Sequence, residues 1–250
     1  MAVRQVTGAG RRARVVRRWG ESWLDSGQAM GAERDRVIAT AVASLIEAVG
    51  AKDPYTRWHS RRVGRYARAI ARGLGLSPHD QADVALAGEL HDVGKIGVPD
   101  ELLHKTGPLT REERCRVLDH TVIGERIQAP LLVDQPAVLA GVRWHHEWMD
   151  GSGYPDGLQG LDIPLIPRIL AVADAFDAMT SARPYRPPLA RKVALAELRQ
   201  GVGAQFDPEC VRAFLALPAG RPAGRVLTHA GPALALRIRP WEPERAPACA

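Results

Sequence analysis

Apolar residues recur at helical spacing through most of this chain. Val37, Ala41, Leu45 and Val49 follow at every fourth position, which predicts a helix over Glu33–Val49. Asp53-Pro54 then supplies an N-cap with proline in the first turn. The helix it opens carries His59, Val63, Tyr66, Ile70 and Leu74 along one stripe and ends near Gly75. Ser77-Pro78 repeats the cap, and the next helix sets Val84, Ala87, Gly88 and His91 on one face before Val98-Pro99 stops it. Thr110-Arg-Glu-Glu113 reads as a capping box for a helix that reaches His120. A helix over 135–148 places Val138, Val142 and His145 on one stripe, with His146 beside it. The turn residues of Asp150–Gly157 predict a loop, and Pro164 and Pro167 lead into a helix with Leu170, Ala173, Asp174, Asp177 and Ala178 inward. Asp207-Pro208 caps a last helix through Leu217.

Several inward positions are polar. A carboxylate on an apolar face is costly without a partner, so Asp174 calls for a cation and Asp177 for at least a strong donor. Collected, the inward or helix-end polar residues are His59, His91, Asp92, His120, His145, His146 and Asp174, which take five of the chain's 8 histidines. That is too many donors for one tetrahedral zinc and suits two octahedral ions. Imidazole and carboxylate without thiolate favour iron, manganese or a similar metal. His91 and Asp92 are adjacent, and neighbouring helical side chains point about 100° apart, so they can face two ions. A carboxylate can also bridge two cations, as an imidazole cannot.

Charge narrows the remaining choices. Lys+Arg number 34 against 28 Asp+Glu, a net +6, and Arg4, Arg11, Arg12, Arg14, Arg17 and Arg18 all precede the first acid, Glu21. Residues 1–32 read as a basic, flexible arm, the remainder is near neutral, and no dedicated nucleic-acid surface is expected. Cys115, Cys210 and Cys249 are odd in number and lack a CxxC, which suggests reduced thiols and a cytoplasmic protein. No apolar run approaches the ~18 residues of a membrane span. Residues 218–250 are rich in Pro, Gly, Ala and Arg and read as a tail, with strands over 225–228 and 233–238 as the alternative to disorder.

The stretches His59-Ser-Arg-Arg-Val63, His91-Asp-Val-Gly-Lys-Ile-Gly-Val-Pro99, His120 with Ile123-Gly124, His145-His-Glu-Trp-Met-Asp-Gly-Ser-Gly-Tyr-Pro155 and Ile169–Arg186 come in one order. In that order the chain, over about 33–217, resembles the HD-GYP domains of bacterial cyclic-dinucleotide phosphodiesterases, within the HD superfamily. The resemblance implies an all-α HD-domain bundle with a dinuclear metal site in its core. One ion would be held by His59, His91, Asp92 and Asp174, and the other by His120, His145 and His146, with Asp92 bridging. Some members hold a third metal through a glutamate at the position of Tyr55, so two metals are expected here. Lys95 resembles the lysine that contacts the scissile phosphate, and Asp177 the acid that pairs with it. Arg183 and Arg186 match substrate-holding positions. The Gly153-Tyr154-Pro155 loop lies beside the site, with Tyr154 as a substrate contact and the loop as a docking point for a partner protein. The implied activity is metal-dependent hydrolysis of cyclic di-GMP to linear pGpG, with further cleavage to GMP open. The alternatives are a non-hydrolysing cyclic-dinucleotide effector and a hydrolase of another ring such as cyclic GMP-AMP.

Overall fold

The computed structural model describes residues 36–182 and 187–217. The arm over 1–32, the tail with its two candidate strands, and Arg183 and Arg186 lie outside the described residues. The chain divides into two compact units, residues 1–44 and 45–250, and the site lies in the second.

Every regular element among the described residues is helical. They are α1 (36–52), α2 (Pro54–Gly73), α3 (Pro78–Leu90), a 3-10 turn (Val93–Gly97), α4 (Asp100–Leu103), α5 (Arg111–Leu118), α6 (His120–Gln128), α7 (Pro136–Trp144), a second 3-10 turn (Gly160–Asp162), α8 (Leu165–Thr180), α9 (Arg191–Gln200) and α10 (Pro208–Leu215). The caps form as the sequence predicts. Asp53 accepts from the amide of Tyr55, Ser77 from that of Asp80, and Asp207 from those of Glu209 and Cys210. Thr110 and Glu113 close both halves of the capping box.

Helices α2, α3, α7 and α8 pack around one core, and α9 and α10 close over α8. Helix α8 is covered nearly all round, with Ile169, Leu170, Val172, Ala173 and Met179 fully buried. Phe176 sits edge-on to Tyr66 at 5.3 Å and to Phe214 at 4.6 Å. A helix so enclosed carries an acid inward only where a partner waits, and that isolates Asp174 and Asp177.

Two boundaries and one helix depart from the expectation. The helix foreseen to reach His120 breaks at Asp119, and α6 starts anew and runs to Gln128. The His120 ring and the Thr121 hydroxyl take the carbonyls of Val117 and Leu118 that backbone amides would take in a continuous helix. The helix expected over 135–148 ends at Trp144, with His145 as its cap. Helix α9 was not foreseen, since only Ala194 and Leu198 are buried along it and its pattern is faint. Cys210 is free and buried.

Candidate metal centre

Three helix ends and two helix interiors deliver the clustered side chains. His91 follows the last turn of α3, His120 the end of α5, and His145 the end of α7. Each turns its Nδ1 back on a carbonyl three residues earlier: Gly88 at 2.8 Å, Val117 at 2.9 Å and Val142 at 2.8 Å. A carbonyl only accepts, so Nδ1 carries the proton and each Nε2 keeps its lone pair pointing inward. His59, from the interior of α2, is held instead by Asp177, whose Oδ2 lies 2.7 Å from Nδ1. Asp174 comes from one turn earlier on α8 and places Oδ1 3.0 Å from the His59 Nε2.

These atoms form three overlapping groups. His59, His91 and Asp174 bring one potential ligand atom each within 4.8 Å of one another, so do His120, His145 and His146, and His91, Asp92 and His145 join the two. Asp92 stands between them. Its Oδ2 is 3.7 Å from His59 Nε2 and 3.5 Å from His91 Nε2, while its Oδ1 is 3.5 Å from His120 Nε2. The 3-10 turn holding Asp92 can approach α6 this closely only because residue 94 is glycine. A Cβ there would fall 1.7 Å from the His120 carbonyl oxygen.

The electrostatics suit cations. Burial, with too little compensation from Asp92, pushes His120 down to about 4. Burial and its imidazole neighbours push His146 down to about 3 and His145 well below its usual value. These rings are therefore neutral, the form in which imidazole can bind a metal. Burial opposes the charge on Asp92, but Lys95 and the surrounding histidines hold it well below the usual carboxylate range, and Asp174 is lowered in the same way by His59. Burial would lower His59 too, yet its hydrogen bonds to Asp174 and Asp177 outweigh that and raise it to about 10. A proton there does what a cation between His59 and Asp174 would do. The buried Nε2 of His91 has no hydrogen-bond partner, as a metal-directed lone pair requires. The donor set thus fits divalent ions held by nitrogen and oxygen.

A sequence profile of the HD domain family matches residues 43–210, well over half of the chain. The chain belongs to the HD domain family. Its relatives include the cyclic di-GMP phosphodiesterase of Thermotoga maritima, 43% identical over 66% of this chain and 45% of that protein. The cyclic di-GMP phosphodiesterase response regulator RpfG of Xanthomonas campestris is 42% identical, over 73% of this chain and 48% of its own. A 3'3'-cGAMP-specific phosphodiesterase of Vibrio cholerae is 39% identical, over 72% and 39%. The chain therefore spans less than half the length of these curated relatives. Among solved structures, an HDG"Y"P protein of Bdellovibrio bacteriovorus aligns with a TM-score of 0.50 at 21% identity, over 62% of this chain and 50% of that one, a likeness of fold.

Within this HD domain two expectations change. The Lys95–Asp177 pairing gives way to other partners: Lys95 donates to Asp92 Oδ2 at 2.7 Å, while Asp177 accepts from Arg62 at 2.6 and 2.9 Å and faces His59. Asp177 is 1% exposed, and the two-pronged Arg62 contact makes it an orienting group for His59. The loop expected to meet a partner protein has Gly153 and Tyr154 buried, with the Tyr154 ring stacked on His146 at 4.7 Å. The sequence reading passed over Arg62 and Glu147. Arg62 lies one turn beyond His59, a charged residue adjoining an inward stripe, and Glu147 directly follows the histidine pair.

Among the described residues no helix is long and apolar enough to cross a membrane.

Proposed function

We propose that this HD domain is a metal-dependent phosphodiesterase that hydrolyses cyclic di-GMP to linear pGpG in the bacterial cytoplasm. The observation that carries this reading is Asp92, which turns one oxygen toward His59 and His91 and the other toward His120. A carboxylate so placed suits two cations sharing it. His59, His91 and Asp174 would hold one and His120, His145 and His146 the other, iron or manganese by the mixture of imidazole and carboxylate. Two such ions, once bound, neutralise the phosphodiester oxygens and acidify a water for in-line attack.

The chain's own residues supply the remainder. Lys95 carries its ammonium to the edge of the cluster, where it donates to a non-bridging phosphate oxygen as negative charge grows there. Asp177 and Arg62 keep His59 from turning, so its Nε2 stays aimed between Asp92 and Asp174. Arg183 and Arg186, outside the described residues, are assigned to the substrate's other phosphate or its bases by the family resemblance. Tyr154 acts from beneath, through His146, with contact to substrate secondary.

Relatives named as 3'3'-cGAMP-specific at 39% and 37% identity favour a second reading, in which the ring is cyclic GMP-AMP. One experiment separates these. The protein is purified without oxygen, its metal content measured, and each ring incubated with it while products are followed by chromatography. About two equivalents of iron or manganese and pGpG from cyclic di-GMP support the proposal. Cleavage of cyclic GMP-AMP alone moves the substrate. Two metals with tight binding and no product from either ring replace the enzyme with an effector that signals by binding.

A further inference from the structure

His146 differs from its four clustered neighbours in what fixes its ring. His59 is held through Nδ1 by Asp177, and His91, His120 and His145 by backbone carbonyls. Among the described residues no hydrogen bond reaches the His146 ring. Three rings pack on it instead: His120 at 5.3 Å, His145 at 4.1 Å and Tyr154 at 4.7 Å. The two histidines belong to the cluster itself. Tyr154 is the outside support, and it lies nearly parallel to the imidazole, at 24°.

Tyr154 is seated by its own loop. Its amide donates to the His146 carbonyl at 3.1 Å. Gly153 runs so close beneath that a Cβ would fall 2.3 Å from the Trp148 nitrogen and 2.6 Å from the His146 carbonyl oxygen. The far side of the loop is gathered by Glu147, only 2% exposed, whose carboxylate accepts the amides of Asp156, Gly157 and Leu158 at 2.7, 3.0 and 3.0 Å. Asp156 is tied again by the Arg143 guanidinium at 2.8 and 3.0 Å and by the Trp144 indole at 2.6 Å. Three converging N–H groups need an acceptor with two oxygens and no hydrogen, which is a carboxylate.

We propose that Glu147 is a positioning residue for the His120, His145 and His146 half of the centre. By gathering the amides of residues 156–158 it presses the Tyr154 ring against His146, and so fixes the imidazole that no hydrogen bond fixes. The proposal rests on the metal reading given above. Its physical content is that the stacked ring keeps the His146 lone pair aimed at the ion. Losing an outer-shell partner of this kind weakens metal binding by about 10- to 100-fold.

The test titrates manganese into the chelated full chain without oxygen, by calorimetry, with circular dichroism to verify folding. Wild type is expected to take two equivalents. Glu147→Ala and Tyr154→Leu should each weaken one equivalent by about 10- to 100-fold and leave the other within about threefold, while Tyr154→Phe keeps the ring and titrates like wild type. Where Glu147→Ala does not fold, Glu147→Gln takes its place, since it keeps one acceptor and should weaken the same equivalent to a smaller degree. Folded Glu147 and Tyr154→Leu variants that titrate like wild type overturn the proposal. Equal weakening of both equivalents also overturns it, because that marks a general structural role. Fewer than two equivalents in wild type defeats the metal reading itself, and the proposal with it.

Discussion

Gly94→Ala tests the centre without removing a ligand or a charge. The added Cβ would stand 1.7 Å from the His120 carbonyl oxygen, 2.5 Å from the Gly124 nitrogen and 2.7 Å from the His120 carbonyl carbon. All three are backbone atoms, so no rotamer change relieves the clash. Reaching ordinary contact takes roughly 1.5 Å of separation between the 3-10 turn and α6. Those two segments carry Asp92 and His120, now 3.5 Å apart between Oδ1 and Nε2. Overpacking of this kind costs about 1–3 kcal/mol, which for a chain of this size lowers the melting temperature by roughly 2–12 °C. Function should suffer more. A shift of about 1 Å in a reacting geometry can cost about 100-fold, so kcat/KM should fall at least that far while the protein stays folded at 25 °C. The assay compares metal content, melting temperature and cyclic di-GMP turnover with wild type. A Gly94→Ala protein within about threefold of wild type in turnover, with both metals retained, would refute the reasoning.

Lys95→Ala should keep both metals and slow hydrolysis by about 100-fold, read from metal analysis beside kcat; metal loss instead would show that Lys95 serves mainly to hold Asp92. Asp177→Ala leaves Arg62 without its carboxylate and His59 without its Nδ1 partner. It should cost about 3 kcal/mol in urea unfolding and weaken the metal equivalent on the His59 side, and an unchanged midpoint would contradict the orienting role. Burial raises the pKa of Asp207, but the amides of Cys210 and Glu209 and the Arg168 guanidinium lower it further, so its folded value lies below its unfolded one. Its charge therefore stabilises above the unfolded pKa of about 4, and that stability is lost as pH falls through the lower folded value. Asp207→Asn keeps a capping oxygen, so its stability deficit against wild type should shrink between pH 5 and pH 2 by about the charge-dependent part. A constant deficit across that range would show that the charge is idle.

The helices were legible because their signals are local. A cap at Asp53, Ser77, Thr110 or Asp207 is a contact within three residues, and an apolar stripe repeats with the helical turn. The clustered residues were legible for a related reason, since an acid or imidazole on an inward stripe, as at His59 or Asp174, advertises a buried need. What escaped was set by contacts between distant segments. The pairing of Asp177 joins residues 115 positions apart with Arg62, and no pattern within either helix distinguishes Arg62 from Lys95 as its partner. The break at Asp119 arises because His120 and Thr121 take carbonyls from the helix before them, while His120 is drawn toward Asp92. Nothing in the sequence around Tyr154 showed that its ring would stack on His146, a contact that only folding makes. Sequence alone thus determined the helical class and which inward acids and imidazoles stand out along the stripes. Tertiary structure decided how those side chains divide around Asp92 and what holds each ring, because ligand direction depends on where separate helices end in space.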